Sequence, residues 1–100
     1  MKEVKLGDSK VKIELPMYDG RMDDEILLDW FSALENLFYC DDVEDRMKVK
    51  IAKTRMKGHA LLWWDNLQAD RMKKSWSKIS SWPRMMEKMK EKFLPKDYKV

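Results

Sequence analysis

The chain has 100 residues, 44% hydrophobic and 39% charged, with a formal net charge of +3. That length supports one domain with one modest core. Five Trp, three Tyr, three Phe and nine Met exclude a disordered chain, while three Gly and three Pro leave few turns for an all-β fold.

Residues 1–10 read as a flexible tail. Val11-Lys-Ile-Glu-Leu15 then alternates apolar and polar, the period of a short strand, and Pro16 stops it. Tyr18-Asp19-Gly20 reads as a turn, so 11–22 is an extended lead-in segment. A lone strand must pack on helices or pair with a strand from elsewhere. The first helix is predicted from Asp23 or Asp24, where a carboxylate caps free amides, to about Cys40. Its core stripe is Leu27, Trp30, Phe31, Leu34, Leu37 and Phe38 at three- and four-residue spacing.

The acidic cluster Asp41-Asp42-Val43-Glu44-Asp45 is placed at the start of a second helix, which runs to about Lys57 and stops at Gly58. Val49, Ala52 and Met56 mark one apolar face and Met47 and Ile51 another, with Arg46, Lys50, Lys53 and Lys57 forming a basic stripe between them. The third helix is predicted over His59 to Lys74. Ala60-Leu-Leu-Trp-Trp64, Leu67 and Met72 are apolar nearly all round, the pattern of a central buried helix. Ser75 to Ser81 reads as a connection with a short helical turn. Ser81 is the N-cap of a fourth helix, with Pro83 in its first turn and Trp82, Met85, Met86, Met89 and Phe93 on its apolar face. Leu94-Pro95 ends it. The fold class is all-α, a bundle of four to five helices over 23–95, with 96–100 leading out.

Chemistry-bearing motifs are missing. There is no Gly-rich phosphate loop, Cys-x-x-Cys, His-Glu-x-x-His or Gly-x-Ser-x-Gly pattern. One Cys and one His exclude an intramolecular disulfide and a zinc site built from those residues. Cys40 and His59 are read as structural rather than as nucleophile and base, and Asp23-Asp24 and Asp41-Asp42 as helix-capping rather than cation-binding. Trp63 and Trp64 point about 100° apart on a helix, which favours core over a stacking platform. No apolar run approaches ~18 residues, and the first ten residues lack a signal-peptide h-region. The expectation is a soluble, cytoplasmic, non-enzymatic chain with no cofactor, no membrane contact and no small-molecule substrate.

Charge is unevenly spread. Residues 1–45 hold five Lys/Arg against thirteen Asp/Glu, a balance of −8; residues 46–100 hold sixteen against five, a balance of +11. Such asymmetry suggests a polyanion partner or copies meeting acidic face to basic face. Mutual neutralisation inside one fold is the alternative, and both stay open.

Gly58-His-Ala-Leu-Leu-Trp-Trp-Asp-Asn-Leu67 resembles the Gag polyprotein of Ty3/gypsy-type LTR retrotransposons, closest to the plant elements. Leu15-Pro-Met-Tyr-Asp-Gly20 resembles that family's L-P-x-F-x-G pattern, with Tyr18 for the usual Phe. Leu28-Asp-Trp-Phe31, Glu35-Asn-Leu-Phe38, Lys48-Val-Lys-Ile-Ala52, Ser81-Trp82 and Phe93-Leu-Pro-Lys-Asp-Tyr98 extend the likeness over 11–98. Pro83 after the helix-four Trp and Met at several apolar positions depart mildly from it. The resemblance implies a capsid N-terminal lobe, shared with domesticated Gag proteins such as Arc. It also implies a second lobe and a zinc knuckle that this sequence does not contain, and hence a Gag fragment or a domesticated one-lobe remnant.

Three roles follow. The first is self-assembly into cytoplasmic virus-like particles that package RNA, with Asp41, Asp42 and Asp45 as the acidic assembly face. The second is a peptide-binding adaptor whose groove edge is Val11, Ile13, Leu15 and Tyr18. The third is direct RNA contact through Arg46, Lys50, Lys53, Lys57, Arg71, Lys73 and Lys74, a set that is also the candidate basic assembly face. The expected core is Trp30, Phe31, Leu34, Phe38, Ala60, Trp63, Trp64, Leu67, Trp82 and Phe93.

Overall fold

Helix α1 spans Asp24–Asp41, α2 Asp45–Thr54, α3 Gly58–Lys73 and α4 Trp82–Phe93 in a computed structural model that describes residues 14–95. No strand occurs among the described residues. Asp23 caps α1: its carboxylate accepts the Ile26 N–H at 3.3 Å. The six buried residues of α1 are Leu27, Trp30, Phe31, Leu34, Leu37 and Phe38, the stripe that three- and four-residue spacing predicts. The helix ends where Asp42 turns left-handed (φ 49°) and the Val43 N–H reaches back to the Phe38 carbonyl at 3.2 Å. Asp41 and Asp42 therefore lie at the end of α1, not at the start of α2 as expected. Asp tolerates the left-handed region better than most residues, which makes it a workable terminator.

Helix α2 stops before the predicted Lys57. Residues 55–57 leave the helix to pair with the lead-in segment: the Tyr18 N–H donates to the Arg55 carbonyl at 2.9 Å, and the Lys57 N–H to the Tyr18 carbonyl at 3.0 Å. This parallel bridge of Tyr18 with Met56 is local and does not extend into a strand. Two side chains reinforce it. The Arg55 guanidinium donates to the Leu15 carbonyl at 3.2 Å, and the Trp30 indole N–H to the Pro16 carbonyl at 3.0 Å. The lead-in segment thus packs on helices. Val11 and Ile13, which carry most of the predicted strand, lie outside the described residues.

Helix α3 begins at Gly58 (φ 54°), so that glycine opens a helix instead of closing one. No side chain caps it, but the Asp19 carbonyl accepts the Ala60 N–H at 3.3 Å. Gly20 (φ 100°) permits this approach, since a Cβ there would sit 3.1 Å from the His59 ring and 3.2 Å from the Ala60 nitrogen. The expectation of a central buried helix fails. Only Ala60 and Trp64 are buried; Trp63 and Leu67 are half-buried, and Leu62 and Met72 are exposed. An all-round apolar pattern names no inward face, and no further layer of described chain covers the outer side of α3.

The 74–81 connector has no helical turn. Ser75 adopts φ 61°, which lets the Trp76 N–H close back on the Arg71 carbonyl at 2.8 Å and the Ser75 N–H on Met72 at 3.0 Å. That is a Schellman closure with Ser where Gly is usual. Gln68 then holds the connector at both backbone groups of Ile79, at 2.9 and 3.0 Å, and Ile79 itself is buried. Ser81 caps α4 as predicted, its hydroxyl accepting the Arg84 N–H at 3.4 Å, with Pro83 in the first turn. Trp82, Met85, Met89 and Phe93 are buried. Trp82 is fixed twice more, its backbone N–H to Asp45 at 3.2 Å and its indole N–H to Glu35 at 3.3 Å. The core is aromatic: Tyr18 packs on Trp30 (5.7 Å between centroids) and on Phe93 (5.4 Å), while Phe31 and Phe38 meet Trp82 edge to face at 5.9 and 5.2 Å.

Candidate interaction surfaces

Cys40 and His59 occupy opposite ends of the helical layer. His59 packs on Phe93 near the Tyr18–Trp30 cluster, whereas Cys40 lies ten residues beyond Trp30, about 15 Å further along α1. They form no dyad. Among the described residues no group of three His, Cys, Asp or Glu side chains is placed to hold a metal ion. No helix among them is long and apolar enough to cross a membrane.

Tyr18, expected at a groove edge, is fully buried. Its hydroxyl donates to the Arg21 carbonyl at 2.7 Å. Burial, with Asp19 and Asp23 nearby, pushes its pKa up to about 12. The backbone beside it is also engaged: the Leu15, Pro16 and Tyr18 carbonyls accept from Arg55, Trp30 and Lys57. Tyr18 is therefore a core residue, and the described part of the lead-in offers no free edge at those carbonyls.

The residues expected to form one basic face divide into two groups. Arg46, Lys50 and Lys53 project from α2, exposed, along an open groove of about 760 Å³ between α2, α3 and the connector. Val49, Trp64, Met72 and Ile79 give its lining an apolar part, and Lys78 adds a fourth cation. Lys53 is partly neutralised by Asp65 of α3 at 3.2 Å. Lys57 is not in this stripe, because α2 ends at Thr54; it is the N-cap position of α3. Arg71, Lys73 and Lys74 form the second group at the end of α3. There the Arg71 and Lys74 cations lie 5.4 and 5.0 Å from the ring centre of Trp76, which is 53% exposed.

Of the acidic cluster, Asp41, Asp42 and Asp45 are all exposed, yet Asp45 has a structural task, accepting the Trp82 N–H. The side-chain pairing bears on whether the two charged halves neutralise each other. The ion pairs among the described residues are Arg21–Asp19, Lys53–Asp65, Arg84–Glu87 and Lys88–Glu91, and none joins residues before 46 to residues after it. Where basic side chains meet α1 they cover rings instead: Lys48 lies over Phe38 and Lys90 over Phe31.

Trp76, Lys78 and Gln68 were not singled out by periodicity or motif. The available signal is a Trp set among Ser and Lys residues, outside every apolar stripe. Residues 12–94 match the family model described as the retrotransposon-derived protein PEG10, N-terminal capsid-like domain. The chain belongs to this family. The match takes in all four helices and the Tyr18 bridge, so the capsid-like domain is the whole described fold. Comparison with curated proteins and with solved structures finds no match. A Gag-derived capsid-like domain has a structural role, which agrees with surfaces defined by charge and apolar exposure.

Proposed function

We propose that this capsid-like lobe derives from a Ty3/gypsy-type LTR retrotransposon Gag and works by self-association into cytoplasmic shells that package RNA. The observation that carries this reading is a charge division that no ion pair among the described residues crosses. The acidic end of α1, with Asp41, Asp42 and Glu44, and the basic groove rim, with Arg46 and Lys50, hold opposite charge, and no ion pair among the described residues joins the halves. Unlike surfaces on one molecule favour head-to-tail contacts, which close into rings when the rotation permits. Exposed ion pairs each contribute only ~0–1 kcal/mol, so such contacts are weak in a single lobe.

The adaptor alternative has less support. Its groove edge would need Leu15 and Tyr18 accessible, and Tyr18 is buried beneath Trp30 and Phe93. Size-exclusion chromatography with light scattering, at low and high salt and with and without RNA, tests the reading. The expected result is a monomer at physiological salt that associates as salt falls and co-elutes with RNA. A monomer under all of these conditions would refute it.

A further inference from the structure

The connector presents Trp76 in an unusual way. Its backbone is held without help from the indole: the Trp76 and Ser75 amides close onto α3, Gln68 clamps Ile79, and the Arg71 guanidinium donates to the Ser77 carbonyl at 2.8 Å. The buried Ile79 anchors the far end. A Schellman closure commonly sets an apolar residue in the Trp76 position against the helix, but a smaller side chain would meet that need. Here a 53% exposed indole lies under two cations, Arg71 and Lys74, with Lys78 two residues on and Lys73 exposed on the last turn of α3. An exposed flat ring with two cations over it, and two further lysines close by in sequence, matches the requirements of a single nucleic-acid strand, which offers a base to stack and phosphates to pair.

We propose that Trp76 is a stacking site for one base of single-stranded RNA, with Arg71, Lys74 and Lys78 holding the flanking phosphates. This rests on the reading that the lobe contacts RNA, and it names where. Stacking of a base on an indole is stronger than an exposed ammonium over the same ring. A base therefore displaces Lys74, whose freed ammonium turns to a phosphate. Duplex RNA, with its bases already stacked, has no face to offer and binds only through charge.

The test is fluorescence anisotropy on the whole chain with a short labelled oligouridylate, its duplex counterpart, and poly-glutamate as a polyanion without bases. Binding should favour the single strand, weaken about 5- to 150-fold in Trp76→Leu, and survive in Trp76→Phe. Removing Lys74 or Lys78 should each lower the log–log salt slope by about 0.7. Trp76→Leu keeps apolar bulk, and its melting temperature should match that of Trp76→Phe, separating loss of stacking from loss of fold. Equal binding by Trp76→Leu and the unaltered chain overturns the site. If Arg46→Glu and Lys50→Glu then abolish that binding, RNA contact remains and belongs to the groove. No RNA binding at low salt overturns both the site and RNA contact by this lobe. Trp76-dependent capture of poly-glutamate as tight as that of RNA overturns it in favour of an acidic protein ligand.

Discussion

Tyr18 ties the lead-in segment, α1 and α4 into one cluster, and its phenol gives that cluster a measurable signature. The folded state holds the neutral phenol to about pH 12, whereas the unfolded chain releases the proton near its ordinary value of 10. Stability from this group is therefore full below pH 10 and is lost as pH climbs towards 12. Chemical denaturation across that window should show the loss, and Tyr18→Phe should lessen it while costing about 1 kcal/mol at neutral pH for the hydrogen bond to Arg21. Gly20→Ala should cost about 1–3 kcal/mol, because φ 100° and the 3.2 Å approach to a backbone nitrogen leave no room for a Cβ. The buried residues of α1 were legible because one stripe of large side chains has one possible inward face. Trp63 and Trp64 were not distinguishable by type or spacing. Trp64 is 2% exposed, whereas Trp63 lies half-buried against Phe93 at 5.1 Å, so Trp64→Ala should cost ~3–5 kcal/mol and Trp63→Ala clearly less in thermal melts.

Helix ends show which local signals can be trusted. Asp23 and Ser81 were readable as caps, since each bonds an amide three residues on. The end of α2 was not, because its terminator is Tyr18, far away in sequence and joined to it only by backbone pairing. The Schellman closure after α3 carries no glycine to announce it. Ser75→Gly should therefore raise stability by roughly 0.5–1 kcal/mol, relieving φ 61° while keeping both closing amides. The acidic cluster, uniform in sequence, is divided in function. Asp45→Ala removes the acceptor of the Trp82 N–H and should cost about 1 kcal/mol. Asp41→Ala removes a carboxylate from the unfavourable end of α1 and should be neutral or slightly stabilising. Urea denaturation of the two variants side by side checks the contrast.

At the scale of the molecule, four helices of unequal burial leave one side of α3 uncovered and a basic groove beside it. The charge division was legible by counting residues; that no ion pair among the described residues crosses it was not, because it depends on which side chains meet. Screening at physiological salt limits exposed contacts to about 8 Å, so association between lobes is expected to be weak there and to grow as salt is removed. The most direct test uses charge exchange at residues without a role in the fold. One variant carries Asp41→Lys and Glu44→Lys, the other Arg46→Glu and Lys50→Glu, with Asp42 left as the terminator of α1 and Asp45 left intact to hold Trp82. Sedimentation velocity at low salt should show self-association by the unaltered chain, a loss of it in each variant alone, and its return as mixed association when the two are combined. Association that strengthens with salt, or persists unchanged in both variants, would contradict the account and assign the contact to the exposed apolar face of α3.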